Sequence, residues 1–249
     1  FSLFSFLLTF TQHFFLFLAS SLCLSLPPSV SLSRSCPFIA TLNNKKTTSY
    51  KNTAKEYAST ISGGYYNSAD ARYAGIGAGA YNRIWSADYA TVSGGRSNRV
   101  LSTGDFAFIG GGRYNTASGT YSVVSGGEYN EAGDLSTIQG GSYNYAAKGK
   151  FLSIGGGNMN TVEGRGSGIG MGLNNSILAF SFAAGISGGA NNNVAGNAST
   201  IAGGNTNVAR GNYVTIEGGY QNTVDGLGAA ISGGQHNVIS TEIAETVVG

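Results

Sequence analysis

The sequence predicts an all-β fold, a single parallel β-solenoid or β-roll of about 12 coils with a 15-residue period. Three observations carry that expectation. One phrase returns with small changes, as "YATVSGGRSNRV" at 89–100, "YSVVSGGEYNEA" at 121–132 and "YVTIEGGYQNTV" at 213–224. Of 249 residues 40 are Gly and only 3 are Pro, without a Gly-X-Y period, and a hydrophobic content of 41% is too high for a disordered linker. A period near 15 is too short for a helical pair or a propeller blade, and two Gly in every unit would break helical repeats.

The chain opens with an uncharged stretch, Phe1 to Leu26. Its most apolar part, "FFLFLASSLCLSL", suits a signal-peptide core with Ala19, Ser20 and Ser21 near a cleavage point. A run of about 20 apolar residues also suits a membrane anchor, so residues 1–34 are read as a signal peptide or anchor-like leader. Gln12 and His13 interrupt the run and favour the signal peptide. Residues 35–56 form a basic, Ser/Thr-rich linker or transit-like segment: Lys45, Lys46, Lys51 and Lys55 lie in it, and with Arg34 at the end of the leader they all precede the first acid, Glu56. A signal followed by a transit-like stretch resembles the two-part address of algal complex plastids. The expected location is therefore secreted or cell-surface, with an algal plastid as the alternative. Because the chain begins at Phe1 and its two Met, 159 and 171, lie within the repeats, it is expected to be a fragment.

The repeats occupy residues 57–249, ending in a truncated thirteenth unit at Val247. Each unit is anchored on a β-branched residue, from Ile61, Ile76 and Val92 to Ile216 and Ile231. A Gly turn follows, such as Gly94–Gly95, split by one residue only after Ile76 and Ile169. Six residues past each anchor stands an Asn: Asn67, Asn82, Asn98, Asn115, Asn130, Asn144, Asn160, Asn175, Asn192, Asn207, Asn222 and Asn237. Each coil is expected to contain one strand at the anchor and a second after the Asn. Alternation along a strand places the anchor and the residue two before it, such as Ala90 and Val92, on one inward face. Coils spaced at 4.7–4.9 Å would build a rod of roughly 55 to 60 Å. The Asn row reads as turn chemistry, because Asn tolerates the left-handed region and can bond to the Asn above and below; a ligand-contacting stripe is the other reading.

The pattern Ser/Ala-x-Ile/Val-x-Gly, then a small residue and x-Ala/Val, resembles the head repeats of YadA-type trimeric autotransporter adhesins over residues 57–249. That resemblance implies a left-handed parallel β-roll that forms a homotrimer and binds extracellular matrix or surfaces. The longer coil, the Gly pair and the fixed Asn depart from the family's pattern.

Residues for catalysis are sparse. Outside the leader His236 is the only His, and Cys23 and Cys36 precede the repeats, so neither a nucleophile with a positioned base nor a Cys-based zinc site is expected. Asp105, Glu128, Glu163 and Glu217 fall at different repeat positions, and no Asp recurs as calcium-binding nonapeptides require. "GRGSGIGMG" at 164–172 lies on the repeat register and opens no helix, which removes a nucleotide loop. No enzyme activity, cofactor or metal is expected. After residue 55, 9 basic and 12 acidic residues are thinly spread, so nucleic acid is not an expected partner.

Two outward features remain. Aromatics recur five residues after the anchor (Tyr66, Tyr81, Tyr114, Tyr129, Tyr143) and three before it (Tyr73, Tyr89, Phe106, Tyr121, Phe151, Tyr213). They either stiffen neighbouring coils or form a contact surface for protein or carbohydrate. The position before the anchor holds Thr60, Thr91, Thr137, Thr200 and Thr215, a candidate ice-facing row. The expected function is a non-enzymatic structural or adhesive module outside the cell, self-associating, with ice binding or a structural role in a plastid as alternatives. "NNS" at 174–176 and "NAS" at 197–199 are glycosylation acceptors if the chain is secreted through a eukaryotic pathway.

Overall fold

The computed structural model describes residues 51–240 and 246–247, so the leader and the basic segment up to residue 50 lie outside the described residues. The described residues form an all-β solenoid without a helix. Two 13-stranded parallel sheets run its length; successive strands alternate between them, so that each coil contributes one strand to each sheet. The Asn sheet runs from Thr53–Ala54 to Val238–Ile239, and the anchor sheet from Thr60–Ile61 to Thr246–Val247. Anchor stacks on anchor without slippage: Ile61 pairs with Ile76, Val124 with Ile138 and Ile201 with Ile216. Strands of two or three residues suffice because each backbone group bonds to the coil above or below, as hydrogen bonds Thr91 N–H to Ala107 O and Ser93 N–H to Ile109 O at 2.9 Å show.

The core is one residue thick on each side. Ile138, Ile154 and Ile216 of the anchor sheet and Ala117, Val162 and Ile177 of the Asn sheet are fully buried. The residues two before the anchors, among them Ala90, Ala107, Leu152 and Val214, are buried beside them as the alternation requires. Burying an anchor contributes about 1.5–3 kcal/mol. No coil could stand alone on so little, so stability comes from stacking on neighbours. Intervals of 14 to 17 residues leave the register intact, since the extra residues fall in the turns.

Three features differ from the sequence reading. The ladder starts before residue 57: Thr53–Ala54 already pairs with Ser68–Asp70, and Asn52 heads the Asn row. A third parallel ladder of single bridges runs through Tyr65, Ala80, Arg96, Arg113, Glu128 and on to Gln235, because the chain between the Gly turn and the Asn is also extended. Finally, the Gly pair is not two equivalent positions. Gly95 has φ +90 and a Cβ built there would lie 2.1 Å from Gly112 O, whereas Gly94 meets nothing closer than Ala78 O at 3.7 Å. The first position therefore accepts a side chain, as Ala78 and Met171 show in the two coils with a split pair.

Candidate functional surfaces

The Asn row is the internal spine of the solenoid. Asn130 is 1% exposed. Its Nδ2 donates to Gly126 O at 3.1 Å in its own coil and to Gly141 O at 2.9 Å in the next. Its Oδ1 accepts the Asn144 N–H at 3.0 Å, and its own N–H is donated to Asn115 Oδ1 at 3.0 Å. The same pattern recurs at Asn82, Asn98, Asn115, Asn144 and Asn222. An amide has two donors and one acceptor oxygen, which is the complement this position demands. The left-handed residue of the turn is not the Asn, as expected, but the one before it, as at Tyr66, Tyr81, Ser97 and Tyr114 with φ between 53 and 59. With its side chain turned inward and saturated, the Asn row offers nothing to an external ligand.

A partial second row caps the opposite turn. Asp105 Oδ1 accepts the Asp88 N–H at 2.8 Å, Asp134 Oδ1 the Thr120 N–H at 3.0 Å, and Asn212 Oδ1 the Asn197 N–H at 2.8 Å. Sequence reading missed it because the position, four before the anchor, is Asp or Asn in only some coils and elsewhere is Tyr57, Arg72, Thr120, Lys150, Arg165, Phe182 or Leu227. Arg72 pairs with Asp88, and that side-chain hydrogen bond holds the Asp88 carboxyl below the usual aspartate range. Other ion pairs also join adjacent coils, including Lys148–Glu163 at 2.6 Å and Arg113–Glu128 at 2.7 Å. Among the described residues no three His, Cys, Asp and Glu side chains come together as metal ligands.

Both aromatic sets occupy left-handed corners, at a cost of about 1–2 kcal/mol for each non-Gly residue. Stacking offsets part of that. Tyr73, Tyr89, Phe106 and Tyr121 form one continuous pile with centroids 4.7 to 5.0 Å apart and planes within 9°. On the other corner Tyr66 stacks on Tyr81, and Tyr114, Tyr129 and Tyr143 follow at 4.7 and 4.8 Å. Desolvation, then the adjacent Tyr114 and Tyr143 phenols, push the Tyr129 phenol above its ordinary range. The rings are nevertheless exposed, Tyr121 by 54% and Tyr143 by 52%. Inner rings such as Tyr89 and Tyr129 have neighbours on both faces, so they present edges and hydroxyls to solvent.

The Thr row lies on the outer face of the anchor sheet. In register it reads Thr60, Gly75, Thr91, Phe108, Val123, Thr137, Ser153, Gly168, Gly185, Thr200, Thr215 and Ala230. Only Thr200 and Thr215 are neighbours; Thr60, Thr91 and Thr137 each stand apart from other Thr. Around Gly168 and Gly185 the face sinks into a shallow trough floored by backbone. No protein-family model matches this chain, and no characterised protein matches its sequence.

Proposed function

We propose that the chain is a non-enzymatic structural and adhesive rod, displayed outside the cell and self-associating through its long edges. The observation that carries this reading is the pair of exposed aromatic piles. They run along the solenoid from Tyr66 to Tyr143, while the hydrogen-bonding groups of its spine are spent on holding coils together. Contiguous exposed aromatics mark contact surfaces, and Tyr is enriched in interfaces for its large area and polar tip. Because inner ring faces are covered, contact is made by ring edges and hydroxyls repeated at the coil spacing. A second copy repeats at the same spacing and meets it in register, which suits the homotrimer implied by the adhesin-head resemblance.

Light scattering of the full chain tests self-association, and retention of chain-coated beads on matrix protein or polysaccharide tests adhesion. Trimers that fall apart when Tyr114, Tyr129 and Tyr143 are replaced by Ser, with bead retention lost, are the expected result. A monomer at micromolar concentration whose beads are not retained would overturn the reading. Thr200 beside Thr215 on the outer face of the anchor sheet supports ice binding as a second reading. Thermal hysteresis lost in a Thr200→Tyr, Thr215→Tyr variant would establish it, and round, unshaped crystals with the wild-type chain would remove it.

A further inference from the structure

The aromatic pile at the corner before the Asn is interrupted at one coil. Tyr66 and Tyr81 stack, Tyr114, Tyr129 and Tyr143 stack, and between the two groups stands Ser97. The backbone runs through the break unchanged: Tyr81, Ser97 and Tyr114 all have φ between 56 and 59, and their N–H groups bond to the previous coil at 2.9, 2.9 and 3.0 Å. The break is therefore a missing ring and not a distorted coil. Tyr81 and Tyr114 are two coils apart, roughly 9.4 to 9.8 Å along the rod. A single ring inserted midway would lie at about half that distance from each, close to the 4.7 and 4.8 Å that the Tyr114–Tyr129 and Tyr129–Tyr143 pairs adopt. The cation–ring contacts among the described residues are at Tyr66, Trp85 and Phe151, so no guanidinium covers the ring faces that border the break.

The same coil supplies charge. It reads Arg96-Ser97-Asn98-Arg99, with Asn98 buried and both arginines exposed. Neither Arg96 nor Arg99 has a carboxylate within ion-pairing distance, unlike Arg72, Arg83, Arg113 and Arg210. Arg96 lies on the third ladder next to Arg113, and Arg99 on the Asn sheet next to Arg83, so like charges lie beside both. Two exposed arginines without a carboxylate partner thus stand one residue before and two residues after the break at Ser97. Arginine's planar fork is the side chain suited to bidentate contact with carboxylate, sulfate or phosphate.

We propose that the Ser97 break is a binding site for a single aromatic ring carrying an anionic group, the ring held between Tyr81 and Tyr114 and the anion on Arg96 and Arg99. Such a group could come from a small aryl sulfate, phosphate or carboxylate, or from a modified tyrosine on a partner protein. The site does not depend on the adhesive reading. The spread of charge along the sequence hides it, because the two arginines contribute little to a net charge that is acidic after residue 55.

Ligand-observed NMR of the full chain with phenyl sulfate tests the site. Ser97→Tyr, which continues the pile with the residue its neighbours already carry at the same φ, is expected to weaken binding at least tenfold. Ser97→Gly leaves the break open and should retain wild-type affinity, and circular dichroism of both variants checks that the coil survives. The Arg96→Gln, Arg99→Gln double variant should also lose at least tenfold, and inorganic sulfate should not displace the aryl ligand at equal concentration. Unchanged binding in Ser97→Tyr, or displacement by inorganic sulfate or by cyclohexyl sulfate at equal concentration, would overturn the proposal. A sulfotyrosine peptide binding at least tenfold tighter than phenyl sulfate assigns the ring to a partner protein, and equal binding assigns it to a small molecule; either upholds the site.

Discussion

Replacing Asn130 tests the physical account of the spine most directly. Asn130→Ala removes donors from Gly126 O and Gly141 O and leaves the Asn144 N–H without its acceptor. Gly141 O keeps the Glu128 N–H at 2.9 Å, so the main loss is the stranded buried N–H together with the bonds to the two carbonyls. At about 1 kcal/mol for each lost bond, and more for a buried donor left unpaired, the change should cost about 3 kcal/mol. Asn130→Asp separates polarity from shape. A carboxylate can still accept from Asn144, but it sets an anionic oxygen against the two Gly carbonyls, which raises its folded pKa above the unfolded value. The penalty specific to Asp is therefore absent below the unfolded pKa, grows as pH rises towards the folded one, and is complete above it. Native-state hydrogen exchange at the Asn144 amide, followed at pH 7 and pH 4, is the assay, because a stacked array can open locally without unfolding as a whole. The expected result is loss of protection in Ala at both pH values, and in Asp chiefly at pH 7. Full protection of Asn144 in the Ala variant, or an Asp variant indifferent to pH, would refute the reasoning.

Gly95→Ala should destabilise its coil by about 2–3 kcal/mol, since the Cβ meets Gly112 O at 2.1 Å, while Gly94→Ala should stay within about 0.5 kcal/mol; thermal unfolding of the two variants decides this. Ser122 is fully buried with no partner for its Oγ, where the coils on one side carry Ala90 and Ala107. Ser122→Ala should therefore raise stability by up to about 1 kcal/mol, read as an increase in Tm. Asp88→Asn keeps the acceptor for the Arg72 N–H but removes the charge. Because the Asp88 pKa is depressed in the folded chain, its contribution is present above the ordinary aspartate value and lost as pH falls through the folded one. The variant should be less stable than wild type at pH 7, by less than Asn130→Ala, and the difference should close in acid in a denaturation series.

The sequence by itself determined the period, the sheet-forming strands and the inward face, because a 2.0-residue alternation beside a β-branched anchor leaves one arrangement in which Ile138 and its partner Ile154 both escape water. It also marked the Asn row as structural, since a position fixed in every coil while its flanks vary is explained by backbone geometry. The tertiary structure alone decided what that Asn does. Three of its four bonds reach the coils on either side, and a local reading of turn propensity sees only its own coil, so it assigns to Asn130 the left-handed conformation that Tyr129 adopts. The inequivalence of Gly94 and Gly95 was hidden for the same reason: the obstructing atom, Gly112 O, belongs to the next coil. Register likewise decided the surfaces. A count of Thr cannot show that only Thr200 and Thr215 are neighbours, and a net charge cannot show Arg96 and Arg99 beside a break in the aromatic pile, because both depend on which residues the stack places 4.7–4.9 Å apart.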